Sequence, residues 1–489
     1  MDRSASLRAI RHACLASVFL AGGVAFPAFA QTASADPIPA ADDAASAPTE
    51  GEIIVTARRR DERLIDAPVA ITALGGDALD NYAVTDFSDM ASLVPTMVAG
   101  KAASGSSASI FLRGVGSTAL SAGFDQSVSF VIDGMPMSRG REIGLSQYDI
   151  QRVEVLKGPQ ALFFGKNATG GLIAVTSNSP RDVFEAGFKA GYGFEAKEKY
   201  GEGYISGPLS DTLRARLAFR VSDSEGAFTN TAALTYLDPL GMERHRNSKY
   251  RGGGRTYSGR ATLEWDATDN LTFQVKSGYT DQKDGGPTDI LERICGGGRT
   301  TPFPANGIPP SPNADCRIDG RSDSSTIPLA VAQANYRYAG DGHMYSRLKS
   351  GYGILTATLT SDVFDVTSIT SYYRFKQTDL NNVSGEAYPA TFSQLADYRQ
   401  TAEELRFQSK WDGSINVLFG LFASSNKFIF NTDAYIFPVP ISPGTGTYVT
   451  FKRDNGFSGS SMSGFGEVTA NITHTIELAG GARWGYESR

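Results

Sequence analysis

The chain has 489 residues, more than one small domain needs and enough for two or three. Its formal net charge is -6, so no basic field argues for a nucleic-acid partner. The 53 Gly, 20 Tyr and 28 Phe suit many glycine-punctuated aromatic strands better than a helical enzyme.

The N-terminus has the layout of a cleaved export signal. Arg3, Arg8 and Arg11 precede an apolar run from Cys14 to Phe26, and Ala28-Phe29-Ala30 puts small residues at a cleavage site. The mature chain is therefore expected to begin at Gln31, which makes 1–30 a signal peptide. The run is too short for a membrane anchor, and Cys14 precedes it rather than following it as a lipoprotein cysteine would. No later stretch reaches the ~18 apolar residues of a membrane helix, so insertion into a membrane requires a closed barrel.

Residues 31–51 are rich in Ala, Pro, Ser and Asp and read as a disordered linker. Glu52, Ile53, Ile54, Val55, Thr56 and Ala57 form a short β-prone island, followed by Arg58, Arg59 and Arg60. An isolated strand former is unstable alone. It is either the first strand of the next domain or a strand offered to a partner by β-augmentation. Sequence physics leaves both open.

From 61 to 180 the pattern is mixed α/β, the size of a compact soluble domain. Val69–Leu74, Val128–Ile132 and Val153–Leu156 read as strands. Asp133-Gly134 and Gly158-Pro159 end two of them as turns. Asp77–Tyr82 and Asp86–Leu93 read as short helices, each opened by an aspartate cap. Gly134, Gly158, Gly165, Gly170 and Gly171 mark turns or close backbone packing. Arg113, Arg152 and Glu154 are charges inside otherwise apolar strands, and a buried charge needs a partner.

From 181 to 489 the texture becomes alternation. Leu213, Ala215, Leu217 and Phe219 alternate with Arg214, Arg216 and Ala218, and Tyr257, Gly259, Ala261, Leu263 and Trp265 alternate with Arg260, Thr262 and Glu264. About eleven such segments follow one another, with tight turns alternating with long links, as in a transmembrane antiparallel β-barrel. Glu404, Arg406 and Gln408 share the polar face of their strand, with Leu405 and Phe407 on the other. Arg113 and Arg152 either lock onto the wall through acids such as Glu404 or stand as solvated lumen charges. The links Ala227–Lys249, Lys283–Asp341 and Asp433–Asn455 are expected to be ligand-selecting loops. Cys295 and Cys316 share one Gly/Pro-rich link in an exported chain, which favours a disulfide over a metal pair. His12, His245, His343 and His474 are not clustered, and no nucleophile elbow, phosphate loop or dinucleotide fingerprint is present, so no enzyme is expected.

At these residues the chain resembles the TonB-dependent receptor family. EIIVTARRR (52–60) is similar to its TonB box, FLRGVGS (111–117) and VSFVIDGMPM (128–137) to its plug strands, and IQRVEVLKGPQALFFGKNATGGLIAVTSNSP (150–180) to its most distinctive plug segment. That segment holds Arg152, Glu154, Gly158, Pro159, Gly165, Asn167, Gly170 and Gly171; FLRGVGS holds Arg113 and Gly114, and VIDGM holds Asp133 and Gly134. TAEELRFQSKW (401–411) resembles a recurring barrel strand.

The resemblance implies a mainly β receptor of the outer membrane in which a small α/β plug blocks a large barrel. It implies import of a scarce solute, most often a ferric siderophore or other iron chelate, with oligosaccharide, vitamin or aromatic compound as the alternative. An inner-membrane TonB protein would pull on residues 52–57, outer-membrane lipid would surround the wall, and no resident cofactor is implied. A passive porin is the rival of another class. Barrels of the family have about 22 strands, twice the number counted here, and 483–489 lie inside a strand-like segment. The chain is thus expected to be C-terminally incomplete. About twenty residues between Ala30 and Glu52 are too few for the extra signalling domain that some relatives carry.

Overall fold

Segments with a two-residue period satisfy their backbone groups by pairing side by side. In the computed structural model of the chain they do so as one antiparallel sheet of eleven strands. The structure describes residues 54–56, 58–60, 62–84, 87–101, 108–117, 125–137, 148–165, 167–238, 241–286, 292, 294–303, 310, 312–383, 390–436, 440, 442, 444–445, 447–473 and 475–489. The expected signal and linker, with Glu52, Ile53, Ala57 and the Asp86 cap, lie outside the described residues.

Two short strands come first, β1 (Ile54–Val55) and β2 (Glu62–Arg63), paired antiparallel with each other. The island at 54–55 therefore does not join the next domain's sheet; it folds back on the residues just after it. The small domain follows: β3 (Ile71–Gly75), α1 (Gly76–Asn81), α2 (Phe87–Leu93), β4 (Met97–Lys101), β5 (Ala108–Leu112), β6 (Val115–Ser117), β7 (Val128–Ile132), β8 (Met135–Met137), β9 (Ile150–Lys157), α3 (Ala161–Phe164) and β10 (Gly171–Ser177). Its main sheet has the order β3-β9-β10-β7-β8, and β4-β5-β6 form a second. All of β7 is buried, as its unbroken VSFVI run requires beside parallel β10. Gly75 caps α1 without a side-chain hydrogen bond, so Asp77 is a first-turn acid and not the cap.

Two hairpins of this domain turn on residue pairs with positive φ: Asp133 and Gly134 at 47° and 85°, Arg113 and Gly114 at 51° and 79°. Such pairs make type I′ turns. Arg113 is thus an exposed turn residue and not a charge inside a strand. At Gly134 a Cβ would come 2.7 Å from Ile369 Cδ1, so the turn also needs glycine to approach the wall.

The wall runs β11 (Glu185–Gly193), β12 (Glu198–Ser210), β13 (Leu213–Ser224), then, after the loop strands β14 (Phe228–Asn230), β15 (Thr235–Leu237), β16 (Glu243–His245) and β17 (Tyr250–Arg251), β18 (Gly254–Thr268) and β19 (Leu271–Asp284). A second long link carries β20 (Arg321–Ser322) and α4 (Leu329–Asn335). The wall then resumes with β21 (Tyr345–Thr360), β22 (Phe364–Asn382), β23 (Ala390–Ser409), β24 (Ile415–Ile436), β25 (Val449–Thr473) and β26 (Ile476–Ser488). Each wall strand pairs with the next in chain order, and the edge strands β11 and β26 are not paired with each other. Much of Asp433–Asn455, expected as a loop, is strand, because β24 and β25 pair as far as Tyr435 and Val449.

Alternation sorts the wall's faces. Leu217 and Phe219 point outward, 57% and 46% exposed, while Arg216 and Ala218, which alternate with them, are buried inside. The inward aromatics Tyr373, Phe375, Tyr398 and Phe428 form one buried cluster with Phe130, Ile132, Met135 and Val153 of the small domain. The small domain therefore shares its core with the wall. The long links fold into a cap, cored by Ile327, Val331, Tyr336, Leu380 and Tyr448. Cys295 and Cys316 are disulfide-bonded within it, Cα atoms 5.3 Å apart.

Candidate coupling site at the short-turn mouth

The residues singled out around 52–60 and 150–180 meet at the end of the wall where the turns are short. Val55 is fully buried. Thr56 donates twice to Glu154 on β9, from its backbone N to Oε2 at 2.9 Å and from Oγ1 to Oε1 at 3.0 Å. Arg152 Nε donates to the same carboxylate at 2.7 Å. Glu154 is 1% exposed, and these donors satisfy the oxygens of its buried carboxyl group.

The basic triplet is held by acids from three places. Arg59 Nη2 donates to Glu404 Oε2 on β23 at 3.0 Å, and its guanidinium lies 4.3 Å from the centre of the Phe164 ring. Arg58 Nη1 donates to Glu477 on β26 at 2.9 Å, and Arg60 Nη2 reaches the same oxygen at 3.3 Å. Glu62 of β2 closes the set by pairing with Arg58 and Arg60. For Arg58, burial works against the charge, but the hydrogen bonds to Glu477 and Glu62 outweigh it and raise its pKa.

The partners differ from those the sequence suggested. Of the two readings open for Arg152, a wall acid such as Glu404 or a solvated lumen charge, the structure shows neither: it shares a strand face with Glu154 two residues on and pairs there. Arg113 is at an exposed turn. Glu404 is only 5% exposed, so it is not a solvated lumen charge either; it joins the segment before the small domain to the wall through Arg59. The role of Arg59 was missed because an arginine run in a polar stretch reads as solvated.

A second set of polar contacts fixes the small domain higher in the wall. Lys276 Nζ donates to Asp133 Oδ1 at 2.9 Å and to Ser177 Oγ at 2.9 Å. Burial pushes the Asp133 carboxyl up, but Lys276, Arg260 and the Ser177 amide pull harder, and its pKa ends below the usual range. Arg216 forks onto Asp149, with Nη2 to Oδ1 at 2.5 Å and Nε to Oδ2 at 3.0 Å. Gly158 and Gly165 carry left-handed backbone at turns. A Cβ on Gly171 would meet Leu156 O at 2.5 Å, and one on Gly170 would meet the Val115 side chain at 3.0 Å. Pro159 precedes α3, and Asn167 lies between α3 and β10. Among the described residues no group of His, Cys, Asp and Glu could hold a metal ion.

Residues 63–172 match the TonB-dependent Receptor Plug Domain family. The chain carries the plug of a TonB-dependent receptor. Its sequence is 29% identical over 196 residues to the pesticin receptor of Yersinia pestis, an overlap of 39% of this chain and 26% of that protein. It is 27% identical over 236 residues to the vitamin B12 transporter BtuB of Vibrio vulnificus, 46% of this chain and 36% of that one. The fold superimposes on the ferric yersiniabactin uptake receptor FyuA from Yersinia pestis with a TM-score of 0.64 at 17% identity, covering 86% of this chain and 56% of that one. The ferripyoverdine receptor of the Pseudomonas aeruginosa outer membrane gives 0.62 at 14%, covering 89% and 54%. The chain thus spans little more than half the length of these solved barrels. In this frame the small domain is the plug, and the clamped segment at 54–63 adjoins its N-terminal boundary.

Proposed function

We propose that this receptor belongs in the outer membrane and imports a scarce solute, a ferric siderophore or similar iron chelate, by energy drawn from an inner-membrane TonB protein. The observation that carries the reading is the clamped segment. Its own ladder is only two residue pairs, β1 with β2, which is marginal by itself. Side chains hold it instead, through Thr56 to Glu154 and the arginine triplet to Glu404, Glu477 and Glu62. A segment held by its side chains can be handed to a partner strand without dismantling a sheet. Once pulled, it would withdraw its donors from Glu154 on β9 and loosen the plug where that strand crosses the mouth.

Iron chelates are the favoured cargo because FyuA and the ferripyoverdine receptor, on whose fold the chain superimposes, are described as receptors for such compounds. A vitamin is the second reading, supported by the similarity to BtuB. Uptake of radiolabelled ferric siderophores and of labelled cobalamin by cells with and without the receptor separates the two. The proposal expects iron uptake to depend on the receptor and to stop when an uncoupler collapses the proton-motive force. Uptake that persists in uncoupled cells would make the barrel a passive pore.

A further inference from the structure

The inward face of β22 and β23 changes character between the plug and the long links. Gln400 Nε2 donates to Pro136 O on β8 at 3.0 Å, which sets the plug against this face. From there toward the long links the cross-strand pairs climb in rows: Phe375 with Tyr398, Gln377 with Ala396, Asp379 with Gln394. Alternation keeps them all on the face that Tyr373, Phe375 and Tyr398 share with the plug core. Aromatic rings thus give way to amides, and Asn381 adds another two residues further along β22. Gly286, where a long link leaves β19, lies so close to Asn381 Oδ1 that no Cβ would fit, so the amides reach the base of the cap.

Gln377, Asp379, Asn381 and Gln394 are each at most 5% exposed. Gln377 Nε2 donates to both Asp379 oxygens, at 2.8 and 2.6 Å, which fixes the orientation of its amide and leaves Oε1 as its free end. Gln377 Oε1, Gln394 Oε1 and both polar atoms of Asn381 have no hydrogen-bond partner among the described residues. Buried polar atoms left unpaired cost free energy, so four of them on two neighbouring strands call for a ligand.

The unpaired atoms say what it brings. Three of the four are amide oxygens, so the missing partners are N–H or O–H donors. Charge points the same way. The row through Asp379 begins with Asp284 and Ser346 and continues through Gln394 and Thr432. Its basic member, Arg453, is at the far end on β25, three strands from Asp379 and roughly 14 Å away at the spacing of paired strands. An anionic solute over Gln377 and Asp379 would set oxygen against oxygen.

We infer that Gln377, Asn381 and Gln394, with Asp379 beside them, select an uncharged or cationic chelate that donates hydrogen bonds, such as a hydroxamate complex carrying amide and ammonium groups, over an anionic tris-catecholate complex. The inference rests on the import reading and names the chemistry of its cargo.

The test measures surface binding of two radiolabelled ferric complexes to uncoupled cells that lack other iron receptors. One is a linear tris-hydroxamate with a free ammonium group, the other a tris-catecholate. The hydroxamate complex should bind, and Gln377→Leu with Asn381→Leu should weaken it at least about tenfold. Asn381→Ser, which keeps an acceptor, should lose less. Lys376→Ser, exposed on the outward face of the same strand, should match the unaltered protein. Heat-modified gel mobility checks that each variant is folded. Saturable binding of the catecholate complex, or hydroxamate binding untouched in the folded leucine variant, would overturn the inference. Receptor-dependent uptake of the catecholate complex alone by energised cells would overturn it and leave the import reading standing. Receptor-dependent uptake of neither complex would overturn both.

Discussion

Arg59 and Glu404 are 345 positions apart in the chain and 3.0 Å apart in the fold, joining the segment before the plug to a wall strand. Both side chains are at most a tenth exposed. Breaking such a pair leaves an unpaired charge, at a cost of about 3 kcal/mol. Glu404→Gln should therefore speed hydrogen exchange of the 54–63 amides, while Arg59→Ala combined with Glu404→Ala should be milder than either alone. Identical exchange in Glu404→Gln and the unaltered receptor would mean the pair holds nothing.

Glu154 receives the Thr56 amide, the Thr56 hydroxyl and Arg152. Charge-assisted hydrogen bonds contribute roughly 1.5–3 kcal/mol each. Glu154→Gln should release the segment and tighten binding of the periplasmic part of the coupling protein by at least about tenfold, as a hidden strand becomes available. Calorimetric titration gives the affinity; a weaker complex would show that Glu154 is part of the partner's surface and not a latch.

Asp133 supplies a pH test. Its folded pKa lies below the unfolded value of about 3.9, so its contribution is fully present above that value and is lost as pH falls through the folded one. Protection of the Ser177 amide, which donates to Asp133 Oδ1 at 2.9 Å, should be constant from neutral pH to about 4 and fall below it. Asp133→Asn should lower protection at neutral pH and flatten this acid limb. An unchanged acid limb in the variant would assign the loss to another group.

The disulfide closes a loop of 21 residues in sequence, for which loop-closure entropy predicts about 3 kcal/mol. Cys295→Ser with Cys316→Ser should raise exchange of the cap, including Arg321–Ser322 where β20 pairs with β14. Amides of β9 and β10 should not respond. Equal loosening of plug and cap would show that the two unfold as one unit.

Much of this was legible from periodicity. The alternation around Leu217 and Phe219 identified wall strands, and the VSFVI run a buried plug strand, because burial on one face or two leaves a direct trace in the order of residues. Asp133-Gly134 read as a turn since both residues tolerate positive φ. Arg113-Gly114 makes the same turn but reads as a charge inside a strand, because arginine gives no such signal. Which acid meets which arginine was not legible, since Arg59 and Glu404 are brought together only by plug insertion. Nor was the fold-back of Ile54–Val55 onto Glu62–Arg63, because two residue pairs carry too little pattern to be seen.

Residues 54–56 are proposed to transmit the pull that opens the plug. Val55→Pro removes a backbone donor and fixes φ in the strand proposed to be handed to the partner. The deciding measurement compares binding and uptake of a radiolabelled ferric chelate by cells carrying the receptor with Val55→Pro. Surface binding should equal that of the unaltered protein, and uptake should fall to the level of uncoupled cells. Normal uptake by that variant would contradict it.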